Sequence, residues 1–331
     1  MSTDTNSRVQ ERFEEIRHAK RVRWLMFGIG FAVVMVFFSR ALDAVGFSLG
    51  EIYQYWGTFV DAILTGYLPR TDTEIPILGW RMVDFGAYWD FIVGADPDTA
   101  TVGPFVITIP FLFQAAGITL SIGFAGTILG FPLALLFGVL GSERVVPFPF
   151  NFIFRGTMSC IRAIPALVWV LIYVPLGGVT PFTATLAVAT DTIGNLGRLF
   201  TDELEEIEDG PIEAVETTGA DKAQTIAFGM LSQVYNPFIA WTLYIFEINV
   251  RIAVGLGIVG AGGLGWELNN QRRMFNYTEM MATIIVILVL IITVEMFSQR
   301  VRSRLRADDE VMGIVELLKG FPRRMAEAMA K

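Results

Sequence analysis

A chain of 331 residues could form two soluble domains, but 53% hydrophobic content, 27 phenylalanines and a mean hydropathy of +0.53 place it in a membrane. The net charge of −8 would argue against anionic partners, yet the charges are segregated to the ends and loops, so the total is a poor guide. The lone Cys160 and the lone His18 exclude an intrachain disulfide, Cys- or His-based metal sites and a histidine general base.

Residues 1–23 interleave Arg8, Arg12, Arg17, Lys20, Arg21 and Arg23 with Glu11, Glu14 and Glu15 at helical spacings, which predicts a charged amphipathic helix on the membrane surface. Residues 24–45 are apolar for long enough to cross a hydrocarbon core, which needs about 20 residues, and the long polar lead favours an uncleaved anchor over a signal peptide. Residues 46–104 are mixed and hold Trp56, Trp80 and Trp89, an external segment partly on the bilayer, with an amphipathic helix expected over 53–64.

Five further apolar stretches follow, at 114–140, 152–176, 182–199, 236–260 and 280–297, making six expected crossings in an all-α membrane protein. Short turns at 141–149 and 177–181, a polar loop over 203–233 and a polar stretch at 262–278 join them. Basic residues crowd the leading segment and the trailing Arg300, Arg302, Arg304 and Arg306, so both termini, and with them the 203–233 loop, are expected in the cytoplasm. The tail, within 300–331, carries Val311, Met312, Val315, Leu317 and Leu318 beside Arg323 and Arg324 and reads as a cytoplasmic or interfacial helix.

The 203–233 loop has the most telling chemistry. Pro211 suits the first position of a helix, and Asp209 and Glu213 flank its start, where the backbone dipole favours negative charge. Gly219 supplies the positive φ that stops a helix, and helix formers resume over 220–228. Two short helices with a bend are predicted. Glu213, Ala214, Val215, Gly219 and Ala220 resemble the cytoplasmic coupling loop of ATP-binding-cassette (ABC) import permeases, with Val215 where the pattern has a second Ala. The run TLYIFEINVRIAVGLGIVGAGGLG at 242–265 resembles the phosphonate-type permeases of that family. RAIPALVW at 162–169 is similar to the same permeases, which have Glu where this chain has Ala166.

The resemblance, spanning 114–299, implies a type-I ABC importer transmembrane domain over 105–299. It also implies a homodimer with two ATPase subunits and an external binding protein, in the plasma or inner membrane and without nucleic acid as a partner. Phosphonate, phosphate or phosphite is the implied cargo. No GxxxxGK[ST] run is present, so ATP and Mg belong to the partner, and this chain is expected to be no enzyme and to bind no cofactor itself.

Gly255, Gly257 and Gly260 fit GxGxxG as a bare pattern, but they end an apolar span with no strand before them, and Glu267 comes too early for a ribose contact. With Gly262 and Gly263 they are expected to serve close helix packing and a turn.

Charged groups inside a span cost about 2.5–3.5 kcal/mol or more each, so Arg162, Glu247, Asn249 and Arg251 face partners or a water-filled path. Two readings are open for them. In one, Glu247 pairs with Arg251 at i,i+4, or with Arg162 across helices, and holds the bundle together. In the other, Arg251 attracts a tetrahedral oxyanion with its planar fork of donors. Asp191, Asn195 and Arg198 follow the same spacing logic on the fourth span and read as structural. A methionine importer, or a self-sufficient channel or ion-coupled carrier using Asp191, Glu247 and Arg251, are the alternatives.

Overall fold

A computed structural model describes residues 3–44, 49–75, 80–94, 98–102 and 105–305. The expected tail helix over 306–331 lies outside them. The described chain divides into two units, residues 1–64 and 65–331.

The first unit holds α1 (Thr3–Ala44), one continuous helix of 42 residues, and α2 (Leu49–Asp61). The surface helix and first span expected as separate pieces are therefore a single rod, whose stretch Trp24–Ala44 is apolar enough to cross a bilayer. The expected 53–64 helix is present but starts four residues earlier, at Leu49.

In the second unit, two hairpins depart from an all-helical expectation. Strands β1 (Arg70–Ile75) and β2 (Trp80–Val83) pair antiparallel, as do β3 (Asp98–Val102) and β4 (Phe105–Ile109), on either side of α3 (Phe85–Gly94). They sit in the stretch expected to be external and leave the bundle helical.

The bundle comprises α4 (Phe111–Gly141), α5 (Phe150–Ala163), α6 (Ala166–Tyr173), α7 (Pro181–Glu205), α8 (Asp209–Thr217), α9 (Lys222–Gln224), α10 (Leu231–Leu256), α11 (Gly263–Met274) and α12 (Tyr277–Leu305). Among the described residues four helical runs are long and apolar enough to span a membrane, and five if α5 and α6, bent by 89° at Ile164 and Pro165, count as one. The expected 182–199 span fails that test. It lies in α7, whose 25 residues include Asp191, Arg198, Asp202, Glu203 and Glu205.

Yet α7 is the central helix of the bundle. Its small and polar face packs along α4, where a Cβ on Gly126 would stand 2.5 Å from Val188 Cγ1 and one on Gly130 2.6 Å from the Ala189 carbonyl. Small residues let the two backbones approach, and dispersion rather than water drives the contact between spans. A polar helix is thus buried behind its neighbours. The stack of Phe200 on Phe238, at 4.0 Å between ring centroids, closes one end of the core, and Ile122, Val170, Val188 and Leu256 fill the other. Outward, Phe124, Ile128, Leu129, Leu133 and Leu136 on α4 and Leu288, Val289 and Ile292 on α12 are exposed, the surface a lipid solvent covers.

The glycine run makes a hairpin of backbone. Gly260, Gly262 and Gly263 have φ of +118°, +86° and +71°, and a Cβ on Gly257 would meet the Gly262 carbonyl at 2.6 Å. Four of the five glycines expected to pack or turn do so; Gly255 is the exception, because it faces outward with nothing within 4 Å. Beyond the turn, the polar 262–278 stretch contains α11, a 12-residue helix. It is anchored by the Leu264 amide donating to Thr119 Oγ1 at 2.9 Å and by Asn269 Nδ2 donating to the Ile258 carbonyl at 3.0 Å.

Candidate functional site: a bent helical knob and the polar groups inside the bundle

Of the predicted pair of short helices the first is observed, whereas the second is the start of a much longer helical run. Helix α8 spans Asp209–Thr217, so Pro211 is its third residue and not its first, and it ends where Gly219 takes φ +80° and its amide donates to the Glu216 carbonyl at 3.0 Å. A reciprocal cap restarts the helix: Asp221 Oδ1 accepts from the Gln224 amide at 2.8 Å, and Gln224 Oε1 accepts from the Asp221 amide at 2.9 Å. From Lys222 a helical run of 40 residues reaches Ala261, interrupted only by π-turns at Thr225–Met230 and Gly257–Ala261. The fifth span therefore begins in the loop itself, not at residue 236.

Glu213, Ala214 and Gly219 are exposed, and Val215 and Ala220 are half-buried. Ala214, Val215, Thr218, Gly219, Ala220, Gln224 and Phe228 line an open hollow of about 430 Å³, with Phe228 69% exposed beside it. The opposite face of α8 is fixed. Ile212 is buried against Gly229, Arg144 in the turn between α4 and α5 meets Asp209 at 2.5 Å, and Gln233 on α10 donates to the Glu208 carbonyl at 3.3 Å. A load applied to the knob thus passes to two other elements.

The four polar residues expected to line a pathway do not converge. Arg162, exposed at the end of α5, donates from Nε to Asn195 Oδ1 at 3.2 Å. Asn249 is fully buried where α4, α7 and α10 meet, and its amide donates to Thr127 Oγ1 and Thr192 Oγ1, each at 2.8 Å. Both threonines give their own hydrogens to carbonyls one turn back, at 2.7 and 2.8 Å, so they have lone pairs to offer and the arrangement is self-consistent. Asn249 Oδ1 is left without a partner.

Neither expected partner of Glu247 is the one it has. Arg302 Nη2 on α12 lies 2.7 Å from Glu247 Oε1, an ion contact without hydrogen-bonding alignment, and Arg251 meets Glu295 on α12 at 3.7 Å. Helix α12 runs antiparallel beside α10 and offers carboxylate and guanidinium one after the other, which outcompetes the i,i+4 contact within α10. Arg198 pairs with Asp202 at 2.9 Å, whereas Asp191 and Asn195 do join as their spacing predicts, with Asn195 Nδ2 donating to Asp191 Oδ2 at 3.0 Å.

Comparison with known proteins decides the family. A family model described as the binding-protein-dependent transport system inner membrane component matches residues 25–307. The chain belongs to this family. Over 195 residues this permease is 37% identical to the phosphate-import permease protein PhnE of Mycolicibacterium smegmatis, a match covering 59% of the chain and 37% of that protein. It thus spans little more than a third of that relative's length. Over 189 residues it is 30% identical to the phosphite transport system permease protein PtxC of Stutzerimonas stutzeri, covering 57% of the chain and 69% of the relative. Its fold matches that of the methionine ABC transporter MetNI in inward-facing crystals, with a TM-score of 0.54 and 20% identity over 59% of this chain and 95% of that one. The expected type-I importer architecture is the observed one.

Sequence reasoning missed three groups in this permease. Glu295 and Arg302 supply the partners of Arg251 and Glu247, and an acid inside the apolar 280–297 stretch was the available signal for the first. Gly194 sets the crossing of α5 on α7: a Cβ there would stand 2.9 Å from Arg162 Cγ. The Asp221–Gln224 cap was legible as an acid and an amide three residues apart.

Proposed function

We propose that the chain is the pore-forming subunit of an ATP-driven importer for phosphonate or a related phosphorus oxyanion, phosphate or phosphite, in the plasma or inner membrane. The observation that carries the reading is the exposed knob of α8 and Gly219, braced to the α4–α5 turn and continuous with α10. The basic residues Arg144, Arg155, Lys222, Arg300, Arg302 and Arg304 lie toward the same end of the bundle, which supports a cytoplasmic position for that end; six crossings, α7 among them, and cytoplasmic termini belong to the same proposal. A single knob among the described residues calls for two copies of the permease on two ATPase subunits, and an external binding protein delivers the cargo. ATP and Mg bind the ATPase; closure of the ATPase pair pushes the knobs, and the bundle follows because nucleotide favours one of two states. The relatives named for phosphate and phosphite import support the cargo class.

Uptake by the reconstituted complex, competed with phosphate, phosphite, methylphosphonate and methionine, tests it. Inhibition by the phosphorus compounds and indifference to methionine is expected; competition by methionine alone overturns the cargo. Glu213→Ala is expected to separate ATP hydrolysis from uptake in the same vesicles, and unimpaired uptake removes the coupling role.

A further inference from the structure

Several arginines of the bundle have carboxylates to themselves: Arg144 with Asp209, Arg155 with Glu205, Arg198 with Asp202, Arg251 with Glu295 and Arg302 with Glu247. Arg162 does not. Among the described residues no carboxylate lies within ion-pair distance of it, and its single hydrogen bond runs from Nε to Asn195 Oδ1 at 3.2 Å. Asn195 is itself fixed, because its amide donates to the buried Asp191 carboxylate at 3.0 Å and to the Asp191 carbonyl at 3.1 Å. The Asp191 carboxylate is close enough to Arg162 for charge–charge attraction but not for an ion pair, and Nη1 and Nη2 of the exposed Arg162 have no hydrogen-bond or ion-pair partner among the described residues.

Position makes this edge unusual. Arg162 stands twelve residues after Phe150, so about 18 Å along α5, within the bent pair α5–α6 that is apolar enough to count as one span. Immediately beyond it the chain turns by 89° into α6. A guanidinium within a span needs water, a partner or a cargo anion. Gly194 is what allows the approach, since any side chain there would strike Arg162 Cγ and its backbone amide.

We propose that Arg162 is the residue that takes hold of the oxyanion within the membrane, with Asn195 and Asp191 as positioning residues that keep its Nη edge turned to the pathway. This rests on the importer reading above. A tetrahedral phosphoryl group presents two oxygens to the Nη1–Nη2 fork in the bidentate manner that a lysine cannot reproduce. Arg251, the residue the sequence favoured for this task, already has Glu295 beside it.

The test is uptake of radiolabelled phosphate, phosphite and methylphosphonate by the complete complex with its ATPase and binding protein, with ATP hydrolysis measured in parallel. Arg162→Gln is expected to lower uptake by about tenfold or more, and Arg162→Lys to fall between it and the parent. Uptake is expected to fall further than hydrolysis does, so more ATP is spent per anion. Asn195→Ala is expected to raise KM for uptake while Arg162 is still present, an effect a purely structural residue would not confine to KM. Uptake by Arg162→Gln within about twofold of the parent overturns the assignment and leaves the importer reading intact. Failure of the parent complex to take up any of the three compounds overturns both. Should Arg162→Gln not co-purify with the ATPase, parental KM values in Arg162→Lys and Asn195→Ala together overturn it.

Discussion

Replacing Arg302 by Gln is expected to destabilise the bundle far more than replacing its partner Glu247 by Gln. The two ends of that ion pair are unequally hidden: the Glu247 side chain is 7% exposed and the Arg302 side chain 23%. Removing the guanidinium strands a carboxylate in the core, and an orphaned buried charge costs about 3–5 kcal/mol. Removing the carboxylate frees an arginine near the helix end, where its long stem reaches water at a cost of about 1 kcal/mol. Arg251 is one turn from Glu247 and its own partner Glu295 is 42% exposed, so a shift of Arg251 toward Glu247 offsets part of the larger loss. The net expectation is about 3 kcal/mol for Arg302→Gln, with the double variant close to Glu247→Gln alone. Thermal unfolding of the detergent-solubilised protein reads this as a midpoint lowered by about 4 °C in the first case and about 1–2 °C in the other two. Equal losses for the two single variants, or strict additivity in the double, would refute the reasoning, since both follow only if Glu247 is the buried member of a coupled pair.

Gly265→Ala is expected to unseat the α10–α11 hairpin, because its Cβ would overlap the Val254 carbonyl; a folded yield near the parent's would contradict the turn geometry. Gly219→Ala meets open space, so only the φ of +80° opposes it, at about 1–2 kcal/mol, and Gly219→Asn is expected to be milder in thermal unfolding. Thr119→Val keeps the shape but leaves the buried Leu264 amide unpaired, with an expected loss of about 1–3 kcal/mol in the same assay.

Much of the architecture was legible because a membrane simplifies the code. Apolar runs had to be helices, and the knob announced itself through Pro211 and Gly219, whose backbone requirements are local. What stayed hidden depends on register between distant segments. Nothing in the spacing of Glu247 and Arg251 says that α12 will bring Arg302 and Glu295 alongside, so the i,i+4 pair looked sufficient. Helix α7, expected as the 182–199 span, is too polar over its 25 residues to pass as a span by hydropathy, and it is buried because α4 presents Gly126, Gly130 and Gly138 to it, which its own sequence does not show. The polar stretch holding α11 read as loop, since Glu267, Asn269 and Gln271 are buried only by virtue of neighbours remote in sequence. At the candidate site, Arg162 was noticed as a charge in a span, but its single hydrogen bond to Asn195 and the absence of an ion pair among the described residues exist only in three dimensions.

The account's central claim is that this chain moves phosphorus oxyanions only when a separate ATPase works on the α8 knob. The most direct measurement is ATP-dependent accumulation of labelled phosphate, phosphite or methylphosphonate in vesicles holding the permease, with its binding protein on the entry side, in the presence and absence of the ATPase subunit. Accumulation that requires the ATPase and disappears when the subunit is omitted is the predicted result. Uptake of the same anions by the permease alone, driven by a proton or sodium gradient, would contradict it.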